Sequence, residues 1–129
     1  MIGKRILIVD DDPDILDVVT MVLESQDYEV VVAHDGVECF DKLGTEKPDL
    51  LILDLLMPQM DGFAVYKDLQ EPKWSEYHDM PILILTSVRE EASRRRYELE
   101  TGQELSADCY LEKPISPEVL LASVGKLLK

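Results

Sequence analysis

The chain has 129 residues, 46% apolar and 31% charged, which is the size and composition of one globular domain able to bury a core without disulfides or metals. Apolar runs such as Ile6 to Val9 fall far short of the ~20 residues that span a bilayer, and the start, Met-Ile-Gly-Lys-Arg, lacks the apolar stretch and cleavage site of a secretory signal. With 27 acids against 13 bases, a net charge of −14, the chain is ill suited to bind nucleic-acid backbones or anionic membranes directly.

Strand and helix signals alternate from end to end, with no repeat or linker, so residues 1–129 are expected to form a single domain. Lys4 to Val9 is an apolar, β-branched run that suits a strand covered on both faces. Asp12 then offers an N-cap and Pro13 a first helical residue. Ile15, Val18, Val19, Val22 and Leu23 follow at helical spacing, predicting a helix over 13–25. Tyr28 to Ala33 reads as the second strand, Asp35-Gly36 as a turn, and Val37, Phe40 and Leu43 as a short helix. Asp49 to Leu53 is the third strand, running into Asp54. Phe63, Val65, Tyr66 and Leu69 predict a helix to about Gln70, followed by a polar segment, Glu71 to Met80, with the only tryptophan. Pro81 to Leu85 is the fourth strand, ending at Thr86-Ser87. A charged helix is expected over 88–100, stopped by Gly102, then a fifth strand over Ala107 to Leu111 broken at Lys113-Pro114. Ser116-Pro117 opens a last helix whose stripe Leu120, Val124 and Leu127 is expected to face the core.

Five such pairs imply an α/β fold with a parallel sheet, helices on both faces and right-handed crossovers. Ligands bind such sheets beyond the carboxyl ends of the strands. There the sequence places Asp10-Asp11-Asp12 after strand one, Asp54 after strand three, Thr86-Ser87 after strand four and Lys113 after strand five. With strand one central and strand three beside it, these ends converge on one cleft. Closely spaced carboxylates repel, and either a shared proton or a cation relieves them. An all-oxygen ligand set without His or Cys favours Mg²⁺ or a similar ion. Such an ion would orient and neutralise a phosphoryl group, and Lys113 would attract the same anion as a point charge. Thr86 could donate a hydrogen bond to it, and a carboxylate such as Asp54 can attack phosphorus to form an aspartyl phosphate. The charge is uneven along the chain: residues 1–64 carry 15 acids and 4 bases, residues 65–129 carry 12 and 9, and no Lys or Arg occurs between Ile6 and Asp41; most of these acids read as a solvated surface, and the run Asp10-Asp11-Asp12 stands apart.

The segments ILIVDDDPD (6–14), LLILDLLMPQMDG (50–62), PILILTS (81–87) and YLEKP (110–114), in this order and on these strands, resemble the receiver domain of two-component response regulators over essentially the whole chain. The resemblance implies a flavodoxin-like (βα)5 fold with strand order 2-1-3-4-5. It makes Asp54 the phosphoacceptor. Asp10 and Asp11, with Asp54 and the backbone carbonyl of Leu56, would hold Mg²⁺ or Mn²⁺. Thr86, Ser87 and Lys113 would lie at the phosphoryl group, and Thr86 with Tyr110 would form the switch. Phosphorylation would then change the surface formed by the helix at 88–100, the fifth strand and the last helix. The implied partners are a sensor histidine kinase or phosphotransfer protein and a downstream effector or appended output domain, with room for a homodimer through that same surface. The implied setting is the cytoplasm, and the protein would be a signalling phosphoacceptor rather than an enzyme. Receivers also usually have a cis peptide where Lys113-Pro114 stands here. Apolar Leu56 and Val88 occupy the positions that in the family tune phosphoryl lifetime, so slow self-dephosphorylation is expected.

Other features read more plainly. Cys39 and Cys109 lack ligand or disulfide spacing and are expected to be reduced, small apolar residues. Arg94-Arg95-Arg96 reads as a solvated helical face, Trp74 and Tyr77 as local packing, His34 as an edge residue, and Asp12 and Asp14 as helix-start acids. An EF-hand loop fails because Ile15 and Met21 stand where Gly and Glu are needed. A flavodoxin-type electron carrier would need a hydroxyl- and glycine-rich phosphate loop after strand one, where three aspartates stand. Two alternatives remain beside the receiver: a receiver-like binding module that works without phosphorylation, and a phosphatase with an aspartate nucleophile on strand one.

Overall fold

The structure is a computed structural model that describes residues 3–54, 62–86 and 108–128. The helix expected over 88–100, the stop at Gly102 and the residues Leu56, Asp61, Ser87, Val88 and Arg94 to Arg96 lie outside the described residues. Five strands, β1 (Arg5–Val9), β2 (Glu29–Ala33), β3 (Leu50–Asp54), β4 (Ile82–Thr86) and β5 (Cys109–Glu112), form one sheet in the order β2-β1-β3-β4-β5. Every neighbouring pair is parallel. This is the predicted doubly wound, flavodoxin-like arrangement. The described helices are α1 (Pro13–Glu24), α2 (Gly36–Glu46), α3 (Gly62–Leu69), a 3-10 helix (Pro72–Tyr77) and α4 (Pro117–Leu127). Among them, none is long and apolar enough to cross a membrane.

The unbroken apolar strands follow from burial on both faces. Ile6, Ile8, Leu50, Ile52, Leu83 and Leu85 pack against α1 and α4, through Leu16, Val19, Leu23, Leu120 and Val124. The alternate residues Leu7, Val9, Leu51, Leu53, Ile82 and Ile84 pack on the other side against Cys39, Leu43, Val65, Leu69 and Tyr77. Each fully buried Leu or Ile contributes about 1.5–3 kcal/mol of transfer free energy. Because both layers draw on alternate residues of the same strands, a one-residue slip would exchange the two faces, and the strand ends are therefore fixed in register.

Local capping starts the helices where the sequence predicts. The side chain of Asp12 accepts from the Asp14 amide and Pro13 occupies the first helical position of α1. Ser116 and Pro117 do the same for α4. Asp35, expected to serve a turn, is the N-cap of α2 and accepts from the Glu38 amide at 2.8 Å. Burial, with Asp35 nearby, pushes the Cys39 thiol up to about 12, so it behaves as an inert apolar side chain. The stripe Leu120 and Val124 is buried, with Leu127 packed beside it.

The segment 71–80 is more ordered than its polarity suggests. Its 3-10 helix is braced on α2: Trp74 lies 5.1 Å from Phe40 between ring centroids, and the Tyr77 hydroxyl donates to the Leu43 carbonyl at 2.6 Å. That carbonyl lies in the last turn of α2, where the Lys47 amide reaches it only at 3.4 Å. Tyr77 thus caps a helix end from 34 residues away. Tyr77→Phe is expected to lower stability by about 1–2 kcal/mol, because it leaves a buried carbonyl poorly paired. A urea midpoint shift at unchanged m value would show this; an unshifted midpoint would mean that the Lys47 amide suffices.

Candidate functional site

The site is set by where the apolar strands end. Val9 lies opposite Leu53 in the β1–β3 register, so Asp10 and Asp54 emerge side by side. On the other flank Asp54 pairs with Leu85, and Thr86 with Glu112. The Lys113 amide donates to the Thr86 carbonyl at 2.7 Å, which carries Lys113 to the same end of the sheet. The Lys113–Pro114 peptide is cis.

Asp10, Asp11 and Asp54 can each present a carboxylate oxygen within 4.8 Å of the others. Asp10 is fully buried and Asp54 is 2% exposed, whereas Asp11 lies at the surface. The Lys113 ammonium sits between the two buried acids, 3.1 Å from Asp54 Oδ1 and 3.3 Å from Asp10 Oδ2. The Asp54 contact is a hydrogen bond, whereas Asp10 Oδ2 makes an ion-pair contact without hydrogen-bond alignment and has no hydrogen-bond partner among the described residues. Asp10 Oδ1 accepts the Asp12 amide at 2.9 Å.

Burial pushes the Asp10 carboxyl above its ordinary range; the Asp12 amide and Lys113 pull it back only in part, and Asp11 adds to the rise. Burial alone would lower the Lys113 ammonium, but attraction by Asp54 and Asp10 outweighs that and holds it above the ordinary lysine range. Among the described residues, three carboxylates and one ammonium leave two formal negative charges in the pocket. The acids are hard oxygen donors, and a buried oxygen of Asp10 still lacks a hydrogen-bond donor. A divalent, oxygen-seeking cation fits this deficit in charge and in donor type.

Of the residues expected at the site, Asp10, Asp11, Asp54 and Lys113 are brought together. Thr86 ends β4 beside them, half-buried, and Tyr110 lies on β5, half-buried against the α2–α3 side of the core. Leu56 and Ser87 fall outside the described residues. His34 is exposed and pairs with Glu38 at 3.2 Å. Two supporting residues escaped sequence reasoning. The Asp12 amide fixes the Asp10 carboxylate. Asp108 accepts the Ile82 amide at 2.9 Å and donates its own amide to the Ile82 carbonyl, which closes the start of β5 onto β4.

Fold and pocket define a doubly wound parallel domain with an acidic, lysine-bridged pocket at the carboxyl ends of its central strands. The sequence pattern of the response regulator receiver domain matches residues 6–125, and the chain belongs to that family. It is 40% identical over 127 residues to the alkaline phosphatase synthesis transcriptional regulatory protein PhoP of Bacillus subtilis, covering 98% of this chain and 49% of that protein. It is 42% identical over 125 residues to the response regulator MprA of Mycobacterium avium, covering 97% and 51%. The chain thus spans about half the length of these curated relatives. Among solved structures, the chemotaxis protein CheY4 of Vibrio cholerae superposes with a TM-score of 0.79 at 31% identity, covering 98% of this chain and 99% of that one. The receiver domain of a signal transduction histidine kinase from Syntrophus aciditrophicus gives 0.80 at 31% identity, covering 98% and 90%.

Proposed function

We propose that this receiver accepts a phosphoryl group on Asp54 from the phosphohistidine of a sensor kinase or phosphotransfer protein. The observation that carries this reading is the buried Asp54 carboxylate held 3.1 Å from Lys113 and flanked by Asp10 and Asp11. A carboxylate oxygen of Asp54 attacks phosphorus. The O–P bond forms as the P–N bond breaks, and the electron pair stays on the imidazole nitrogen. Asp10, Asp11, Asp54 and the Leu56 carbonyl would hold Mg²⁺ or Mn²⁺, which when bound would neutralise charge on the transferring group. Lys113 would leave its ion pair with the acids to hold a phosphoryl oxygen, and Thr86 and Ser87 are the residues that would contact the same group.

The new charge on Asp54 draws Thr86 inward, and Tyr110 follows into the space that it leaves. This shifts the population toward a second form of the surface made by β5, α4 and the residues between β4 and β5. A downstream effector or an output domain reads that surface, and a homodimer can form through it. The protein acts in the cytoplasm as a signalling phosphoacceptor that assists its own phosphorylation and dephosphorylation, without turnover of a separate substrate.

Intact-mass spectrometry after incubation with acetyl phosphate and Mg²⁺ tests this. One added phosphoryl group is expected, absent without Mg²⁺ and absent in Asp54→Asn. Incorporation that survives in Asp54→Asn would overturn the assignment of the acceptor. Unmodified protein under every condition, with kinase as donor included, would favour a binding module that works without phosphorylation. Steady turnover of phosphomonoesters would favour a phosphatase.

A further inference from the structure

The acidic pair at the end of β1 is followed by a third acid, Asp12, which no role in phosphoryl transfer claims. Its carboxylate is exposed and is not among the three that converge on the pocket. Its bonds nevertheless tie α1 to Asp10. The Asp12 amide donates to Asp10 Oδ1 at 2.9 Å, its Oδ1 accepts the Asp14 amide at 2.9 Å, and its carbonyl accepts the Leu16 amide at 3.1 Å. Pro13 has no amide hydrogen, so Asp14 carries the first free amide of α1, and the Asp12 side chain is the group that caps it.

We propose that Asp12 is a positioning residue: by capping α1 it fixes its own amide against Asp10 Oδ1, and so holds Asp10 Oδ2 presented to the cation pocket. This rests on the reading that Asp10 is a cation ligand. The fully buried Asp10 makes it a geometric requirement. With Oδ1 occupied by the Asp12 amide, Oδ2 is the oxygen left without a hydrogen bond, and it faces the pocket beside Lys113. Without the cap the first turn of α1 loosens and the Asp12 amide drifts. The Asp10 carboxylate can then turn both oxygens toward Lys113, at the expense of the cation.

The test is Mn²⁺ binding measured by isothermal titration calorimetry on the unphosphorylated protein, independent of phosphoryl transfer. Asp12→Asn keeps the cap and removes the charge, so it separates geometry from electrostatics. Asp12→Ala is expected to weaken Mn²⁺ on the order of tenfold, as loss of a group that orients a ligand does, and Asp12→Asn to stay within about twofold. Val124→Ala, a truncation in the buried face of α4, is a control for general destabilisation away from the pocket and is expected to leave the affinity unchanged. Equal weakening in Asp12→Asn and Asp12→Ala would make Asp12 a direct electrostatic or ligating group and overturn the proposal. So would unchanged affinity in Asp12→Ala, or equal weakening in Val124→Ala. Absence of Mn²⁺ binding by the wild-type protein would instead refute the cation reading, and this inference with it.

Discussion

Replacing Lys113 with methionine is expected to destabilise the cation-free protein by about 3 kcal/mol, the order found when one member of a buried ion pair is removed. The cause is the burial of its partners. Asp10 and Asp54 are 0% and 2% exposed, and Lys113 is the cation within 3.3 Å of both. Methionine fills a similar volume, so packing changes little and the lost charge dominates. The melting temperature in EDTA should fall by roughly 10 °C. Saturating Mg²⁺ should recover more of the loss in Lys113→Met than it adds to the wild type, because the ion no longer competes with a resident ammonium. Phosphoryl uptake should stay impaired even with Mg²⁺ if Lys113 holds the transferring group as proposed. A variant as stable as the wild type in EDTA would mean that Lys113 is not the counter-charge of these acids.

The features legible in the sequence are those that a strand end makes one-dimensional. Ile6 to Val9 and Leu50 to Leu53 are apolar at every position because both faces are covered, so the first polar residue after each run marks the end of the strand. Asp10 and Asp54 stand at such ends, as does Thr86 after Ile82 to Leu85. Lys113 needed only the alternation of strands and helices, which puts every strand's carboxyl end on one side of the sheet. What stayed hidden depends on contacts between distant residues or on atoms that carry no side-chain signal. Tyr77 bonding to Leu43 spans 34 residues, and its hydroxyl looks like any other in a polar segment. Asp108 reads as a loop acid until its carboxylate meets the Ile82 amide across the sheet. The Asp12 contact to Asp10 is made by a backbone amide, which every residue except proline offers, so side-chain identity cannot announce it.

Divalent cations are expected to stabilise the folded protein in a pH-dependent way governed by Asp10. Its carboxyl is raised above the ordinary value of 3.8, chiefly by burial, so the folded chain holds this proton more tightly than the unfolded chain. The stabilising contribution of the protonated form is complete below 3.8 and is lost as pH rises through the raised value. In EDTA, Asp10 therefore makes the protein less stable across that window as pH increases. A bound cation reverses the balance, since it needs the carboxylate ionised and binds only the folded pocket. The gap between the cation and EDTA curves should open as pH rises through the same window. It should approach about 2.7 kcal/mol at neutral pH when the ion is present at a hundred times its dissociation constant. Lys113, also raised, contributes stability that is complete below its ordinary 10.5 and lost only above, so it adds no slope near neutrality. Thermal melts with Mg²⁺ or EDTA between about pH 4 and pH 8 check this range. Asp10→Asn should be more stable than the wild type in EDTA at neutral pH, because it removes a buried charge, and it should respond little to Mg²⁺. A cation effect that is constant with pH, or equal in Asp10→Asn, would place the ion away from this pocket.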